Sequence, residues 1–155
     1  MTGIYDNPEM IGVFIDEMEE QLLLLEESIL ELERCGENPD IIQKIFRAAH
    51  TLKGSSSAMG FEKMKILTHE MENVLDKIRN HRLKATNPVI NVLFQCLDHL
   101  RLLKDDFLTD RKDIRTDIST VLDGLKRILS EEPDPDKISD CSKDMAVESM
   151  VQETA

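Results

Sequence analysis

Tryptophan is absent from this sequence and aromatic residues of all kinds make up 4% of it, so a core has to be assembled mostly from leucine, isoleucine and methionine. That palette favours helices over strands, which draw on β-branched and aromatic side chains. Cysteine is scarce too. Cys35, Cys96 and Cys141 lie far apart, are odd in number and show no CxxC spacing, so neither a disulfide framework nor a zinc site is indicated. A reducing cytoplasm is the simplest setting. No stretch approaches the roughly 18 apolar residues of a membrane span. The amino terminus lacks a basic segment followed by an apolar run, and membrane insertion is not expected. The six glycines are scattered, with no two close enough to cradle a phosphate, so the chain has no visible ATP site. Positive charge is in deficit, with 19 basic residues against 31 acidic ones and a formal net charge of -12. Nucleic acid and anionic lipid would repel such a surface, and no basic patch large enough to reverse this occurs.

What is present is helical periodicity. The 155 residues suit one domain plus a tail. After a lead-in over residues 1–8, Ile11, Ile15, Met18, Leu22, Leu25, Ile29 and Leu32 recur at four- and three-residue steps, the pattern of a long amphipathic helix. Its outer face carries Asp16, Glu17, Glu19, Glu20, Glu26, Glu27, Glu31 and Glu33, which read as solvated charges. Asn38 and Pro39 are a cap and a helix opening, and Gly60 ends this second helix. A third helix is predicted over residues 62–81, with Met64, Leu67, Met71, Val74, Leu75 and Ile78 inward and His69 and Glu72 on another face. Asn87 and Pro88 repeat the opening signal for a fourth, with Ile90, Leu93, Leu97, Leu100 and Leu103 or Phe107 inward. A fifth, over residues 114–129, turns Ile118, Val121, Leu125 and Ile128 inward. Short connections predict an all-α, antiparallel up-and-down four-helix bundle with an additional C-terminal fifth helix, over residues 1–130. Residues 131–155 are polar, acidic and proline-containing, the composition of a disordered linker or tail, with a weak helical signal over residues 145–151.

Everything else reads as scaffold for residues 45–61, IFRAAHTLKGSSSAMGF. On a helix, Ile42, Ile45, Ala49 and Leu52 form an apolar stripe, and Lys44, Arg47, His50, Lys53 and Gly54 fall near a different one. His50 therefore leans towards solvent. An exposed histidine is usually just a polar surface residue, but this one is flanked by Arg47 and Lys53 in an acidic protein, a local field suited to an incoming anion. Gly54 adds a second clue. Glycine inside a helix costs roughly 1 kcal/mol relative to alanine, and a bare backbone one turn from His50 lets something large approach. Phosphate on the imidazole, delivered by another protein, fits both.

HTLKG, residues 50–54, resembles the phosphoacceptor motif of histidine phosphotransfer domains. The longer match of IFRAAHTLKG and SSSAMGF with LTHEMENVLDKIRN (residues 67–80) and VLFQCLDHL (residues 92–100) is similar to the amino-terminal domain of CheA-type chemotaxis histidine kinases. The resemblance implies that His50 takes a phosphoryl group from the ATP-bound kinase core of a CheA-type protein and passes it to an aspartate of a CheY-like or CheB-like response regulator. It implies that Glu72, on the neighbouring helix, contacts the Nδ1 side of His50, which then reacts through Nε2. Taken alone, Glu72 would be an ordinary surface carboxylate. Lys53 would stabilise phosphoryl charge, since that transfer relies on positioning and electrostatics. His69 resembles a second histidine of the family's hydrogen-bond network, and Thr68 is adjacent to it. His81 and His99 read as structural or solvated.

ATP and magnesium would be used by a kinase core elsewhere, with no cofactor in this chain, which is expected to be a monomer. It is either a fragment of such a kinase or a stand-alone phosphotransfer protein, and the linker-like tail favours the fragment. A metal-binding bundle is disfavoured, because no histidine has glutamate three residues before it as the di-metal pattern requires. A docking bundle presenting the acidic first helix would explain the fold equally well but leaves HTLKG unused.

Overall fold

Turn chemistry divides the chain where the sequence punctuates it. In the computed structural model, which describes residues 8–130, five helices follow one another: α1 Pro8–Cys35, α2 Pro39–Ala58, α3 Glu62–Arg79, α4 Asn87–Asp110 and α5 Ser119–Ser130. Gly36, at φ 84°, turns the chain out of α1, and the Asn38 side chain accepts from the Asp40 N–H at 2.8 Å to cap α2 ahead of Pro39. Gly60, at φ 72°, makes the turn into α3. The expected tail at residues 131–155 and its weak helix lie outside the described residues, as does the lead-in except for Pro8, which is already helical.

Cross-helix contacts fix the directions. Glu31 meets Lys44 and Glu17 meets Ser55, so α1 and α2 run antiparallel. Glu72 meets His50 while Arg79 meets Gln43, which sets α3 against α2 in the same way. Glu26 with Arg101 and Glu19 with Lys104 do so for α4 against α1. The four helices close a ring, α1–α2–α3–α4–α1, and α5 packs alongside it against α3 and α4. The up-and-down bundle with an added fifth helix is thus the observed architecture. Its core is aliphatic apart from a cluster at one end, where Phe14 and Phe61 both meet Phe107, at centroid separations of 5.2 and 5.1 Å.

Several details differ from the sequence reading. In α1 the buried stripe is Phe14, Met18, Leu22, Leu25, Ile29 and Leu32, with Ser28 beside it; Ile11 and Ile15 are only partly covered, because Phe14 joins the aromatic cluster and rotates the start of the stripe. The acidic face of α1 is not simply solvated. Glu17, Glu19, Glu26 and Glu31 bond to α2 or α4. Helix α3 stops at Arg79 because His81 takes a left-handed conformation, φ 63°, and the Arg82 N–H reaches back to the Lys77 carbonyl at 2.8 Å. Asn87 is the first residue of α4 instead of its cap. Helix α5 starts at Ser119, not near 114. Asp106 binds the Thr116 hydroxyl and the N–H groups of Arg115 and Thr116, and Asp117 binds Ser119, so those acceptors hold the preceding segment as a loop. Burial in the core does not require the helix: Ile118 is buried from that loop. Among the described residues no helix is long and apolar enough to cross a membrane.

Candidate functional site

Ile42, Ile45, Ala49 and Leu52 are buried, and their anchorage turns the opposite side of α2 outward. His50 lies at the seam between α2 and α3 with its side chain 64% exposed. Across the seam stands Glu72, whose side chain is 8% exposed. One oxygen of Glu72 is bonded to His50 Nδ1, and the other accepts from the Lys53 ammonium at 2.6 Å. A single carboxylate therefore ties together two residues one helical turn apart.

Burial by itself would push the Glu72 carboxyl up. Hydrogen bonds from Lys53 and then His50, together with the charges of both, outweigh burial and hold it below its ordinary value of 4.5. An ionised carboxylate can only accept, so the hydrogen in the contact with His50 belongs to Nδ1. In the neutral imidazole the lone pair then sits on Nε2, the other ring nitrogen. Among the described residues nothing bonds to Nε2. The arrangement is an exposed nucleophilic nitrogen on a ring whose tautomer is fixed from behind by a buried anion.

The expectation that Glu72 and His69 share a face fails on burial: Glu72 turns into the α2–α3 seam and meets His50 Nδ1, the contact that the resemblance implies, whereas His69 is exposed. His69 makes no hydrogen bond or ion pair among the described residues. Thr68 is buried and donates to its own helix, at the Met64 carbonyl, 2.7 Å away. Neither belongs to the His50–Glu72–Lys53 cluster. Lys53 is on Glu72 and does not stand free beside the imidazole, so its charge first serves to keep that carboxyl ionised. Arg47 is exposed without a partner among the described residues, on the open side of α2. A Cβ added at Gly54 would meet no atom within 4 Å, so nothing among the described residues demands glycine there. His99 Nδ1 lies 2.7 Å from the Gln95 carbonyl of its own helix, and His81 forms the turn after α3; both are away from the cluster. Among the described residues no three His, Cys, Asp or Glu side chains gather as metal ligands.

Phe46 was not singled out by sequence, although it precedes His50 by one helical turn. Its ring lies parallel to the imidazole, within 6°, at a centroid separation of 6.2 Å. The Arg79 guanidinium sits over that same ring at 4.3 Å. The four-residue spacing from a candidate histidine was the available signal.

A family model described as "Hpt domain" matches residues 9–105. The chain is 39% identical over 127 residues to the chemotaxis protein CheA of Listeria monocytogenes, covering 82% of this chain and 20% of that protein. It is 42% identical over 116 residues to the chemotaxis protein CheA of Bacillus subtilis, covering 75% of this chain and 17% of that one. It thus spans about a fifth of the length of the curated relatives it matches. Among solved structures, a histidine phosphotransfer domain of CheA aligns with TM-score 0.69 and 39% identity, over 76% of this chain and 90% of that one. The phosphorylated P1 domain of CheA3 in complex with CheY6 from R. sphaeroides aligns with TM-score 0.75 and 22% identity, over 81% of this chain and 98% of that one, a likeness of fold.

Proposed function

Since this chain belongs to the Hpt domain family, we propose that His50 is its phosphoacceptor, loaded by the kinase core of a CheA-type protein and discharged to an aspartate of a response regulator. The observation that carries this reading is the bond between His50 Nδ1 and the buried, ionised Glu72, which leaves Nε2 as the exposed nucleophile. Nε2 attacks the γ-phosphorus of ATP held by the kinase core, an N–P bond forms, and the bond from phosphorus to the bridging oxygen of ADP breaks. The ring becomes cationic as its lone pair is used. Glu72, already hydrogen-bonded to the Nδ1 proton, stabilises that charge without having to move. In the second step an aspartate oxygen attacks the phosphorus and the N–P electron pair returns to Nε2, restoring the neutral imidazole.

Lys53 supports both steps by keeping Glu72 ionised, and the open backbone at Gly54 gives a partner close access to the α2 surface. A domain of like fold has been seen bound, in its phosphorylated form, to CheY6; a CheY-like regulator is the recipient we propose here, with a CheB-like one as a second.

The test is incubation of the chain with a CheA-type kinase core and labelled ATP, followed by peptide mapping. Acid-labile, alkali-stable label on the peptide containing His50, lost in His50→Gln while helical circular dichroism is kept, is the expected result. Label persisting in His50→Gln sinks the assignment. Absence of label from the wild-type chain, with the kinase active on another substrate, returns the molecule to a docking bundle.

A further inference from the structure

The Glu72 contact is a single hydrogen bond, and it has to hold both torsions, χ1 and χ2, of the His50 side chain. A histidine side chain 64% exposed has solvent to swing into whenever that bond opens. Phe46, one turn earlier on α2, opposes that motion: its ring lies parallel to the imidazole within 6° and 6.2 Å away. This separation is within the range over which offset aromatic pairs attract.

Phe46 is itself only partly buried; it packs against the core, and Arg79 adds a second restraint with its guanidinium 4.3 Å from the ring centroid. Arg79 is fixed in turn by Asp76 at 2.8 Å on its own helix and by Gln43 at 3.4 Å across the seam. Glu72 and Arg79 are seven residues, two turns, apart on α3, so both lie along the same seam. Phe46 and His50 occupy the facing turns of α2. We infer that Phe46, clamped by Arg79, is a positioning residue that holds the His50 side chain in the rotamer from which Nδ1 meets Glu72, so that Glu72 sets which nitrogen is free and Phe46 keeps the ring where Glu72 can do so. The inference rests on the proposed phosphoacceptor role of His50 for its kinetic consequence alone. The orientation it predicts can be read without any phosphoryl donor.

The experiment compares the wild-type 155-residue chain with Phe46→Ala, Phe46→Tyr and Arg79→Gln. Nitrogen-15 NMR reads the His50 tautomer, three-bond couplings read its χ1 populations, and labelled ATP with a CheA-type kinase core reads the initial phosphorylation rate. Phe46→Ala is expected to keep the helical spectrum, to spread χ1 over more than one rotamer with a matching loss of the Nδ1–H tautomer, and to slow labelling by roughly three- to tenfold, the factor that one aromatic pair corresponds to. Phe46→Tyr, which keeps the flat ring, restores the single rotamer and a rate within about twofold of wild type. Arg79→Gln gives a smaller loss in the same direction. A merely space-filling Phe46 would leave the χ1 populations alone. A single unchanged rotamer in folded Phe46→Ala, with labelling at the wild-type rate, overturns the inference. If Phe46→Ala fails to fold, Arg79→Gln decides: broadened rotamers support the clamp and an unchanged ring refutes it. If the wild-type chain is not labelled at all, the phosphoacceptor reading fails, while the rotamer data still judge the clamp.

Discussion

Replacing Glu72 probes the site most directly, because one side chain carries both of its bonds. Glu72→Ala deletes the acceptors of His50 Nδ1 and of the Lys53 ammonium, which lies 2.6 Å away. Hydrogen bonds to charged groups contribute about 1.5–3 kcal/mol each, and the loss is larger when a buried partner is left stranded. Here neither partner is stranded: the His50 and Lys53 side chains are 64% and 29% exposed, so water can replace the carboxylate. The desolvation cost of Glu72 itself also disappears. The net loss of stability should therefore be about 1–2 kcal/mol, or about 4–8 °C in Tm for a domain of this size. The kinetic loss should be larger in proportion, roughly 10- to 100-fold in labelling rate, the range that losing a histidine-orienting partner costs at metal sites. Glu72→Gln keeps one acceptor for Nδ1 but turns an amide towards Lys53, so it should fall between. A quenched-flow measurement of His50 labelling, beside thermal melts of the three proteins, checks both magnitudes. Labelling of Glu72→Ala at the wild-type rate would refute the tautomer clamp, and an undiminished Tm would refute the account of its packing.

The same carboxyl predicts a pH dependence. Its folded pKa lies below the ordinary 4.5, so its stabilisation is complete above that value and is lost as pH falls through the lower folded value. The stability difference between wild type and Glu72→Gln should be flat above about pH 5 and shrink below about pH 4; a difference that grows on acidification contradicts the sign. Gly54→Ala should raise stability by about 0.5–1 kcal/mol, since the position is helical and its Cβ would meet open space. Gly54→Trp should fold but lose transfer to and from partner proteins, and unchanged transfer rates would remove Gly54 from the docking surface. Phe107→Ala, emptying the end of the core between Phe14 and Phe61, should cost about 3–5 kcal/mol in chemical denaturation without altering the His50 tautomer. His81→Gly relieves a left-handed residue, worth about 1–2 kcal/mol, against about 0.4–1 kcal/mol of added unfolded-chain freedom. A small rise in Tm is expected, and a fall would show that the His81 side chain holds the turn.

The aliphatic stripes at helical spacing, the Asn–Pro opening of α2 and the glycines after α1 and α2 fix the order and number of helices by local chemistry alone, and so they could be read directly. His50 could be read for the same reason: anchoring Ile45, Ala49 and Leu52 on one side of a helix leaves the other side outward whatever the helix packs against. Boundaries set by distant acceptors could not. Asp106 and Asp117 hold the segment before α5 out of the helix through side-chain bonds, which periodicity does not encode. Nor could the burial of Glu72. Its position on α3 is polar by pattern, and only the close approach of α2, with a cation and an imidazole ready to satisfy both oxygens, makes an ionised carboxylate stable there. Lys53 and Phe46 follow the same rule: sequence placed each one turn from His50, but α3 brought Glu72 to the first and Arg79 to the second. Sequence by itself determined the helices and which residue faces out to react. The family resemblance pointed to Glu72 as the Nδ1 partner, but its burial, its bond to Lys53 and the contacts of Phe46 and Arg79 were decided by the tertiary structure, because those contacts join positions on different helices, and their energies depend on burial and distance that no single helix contains.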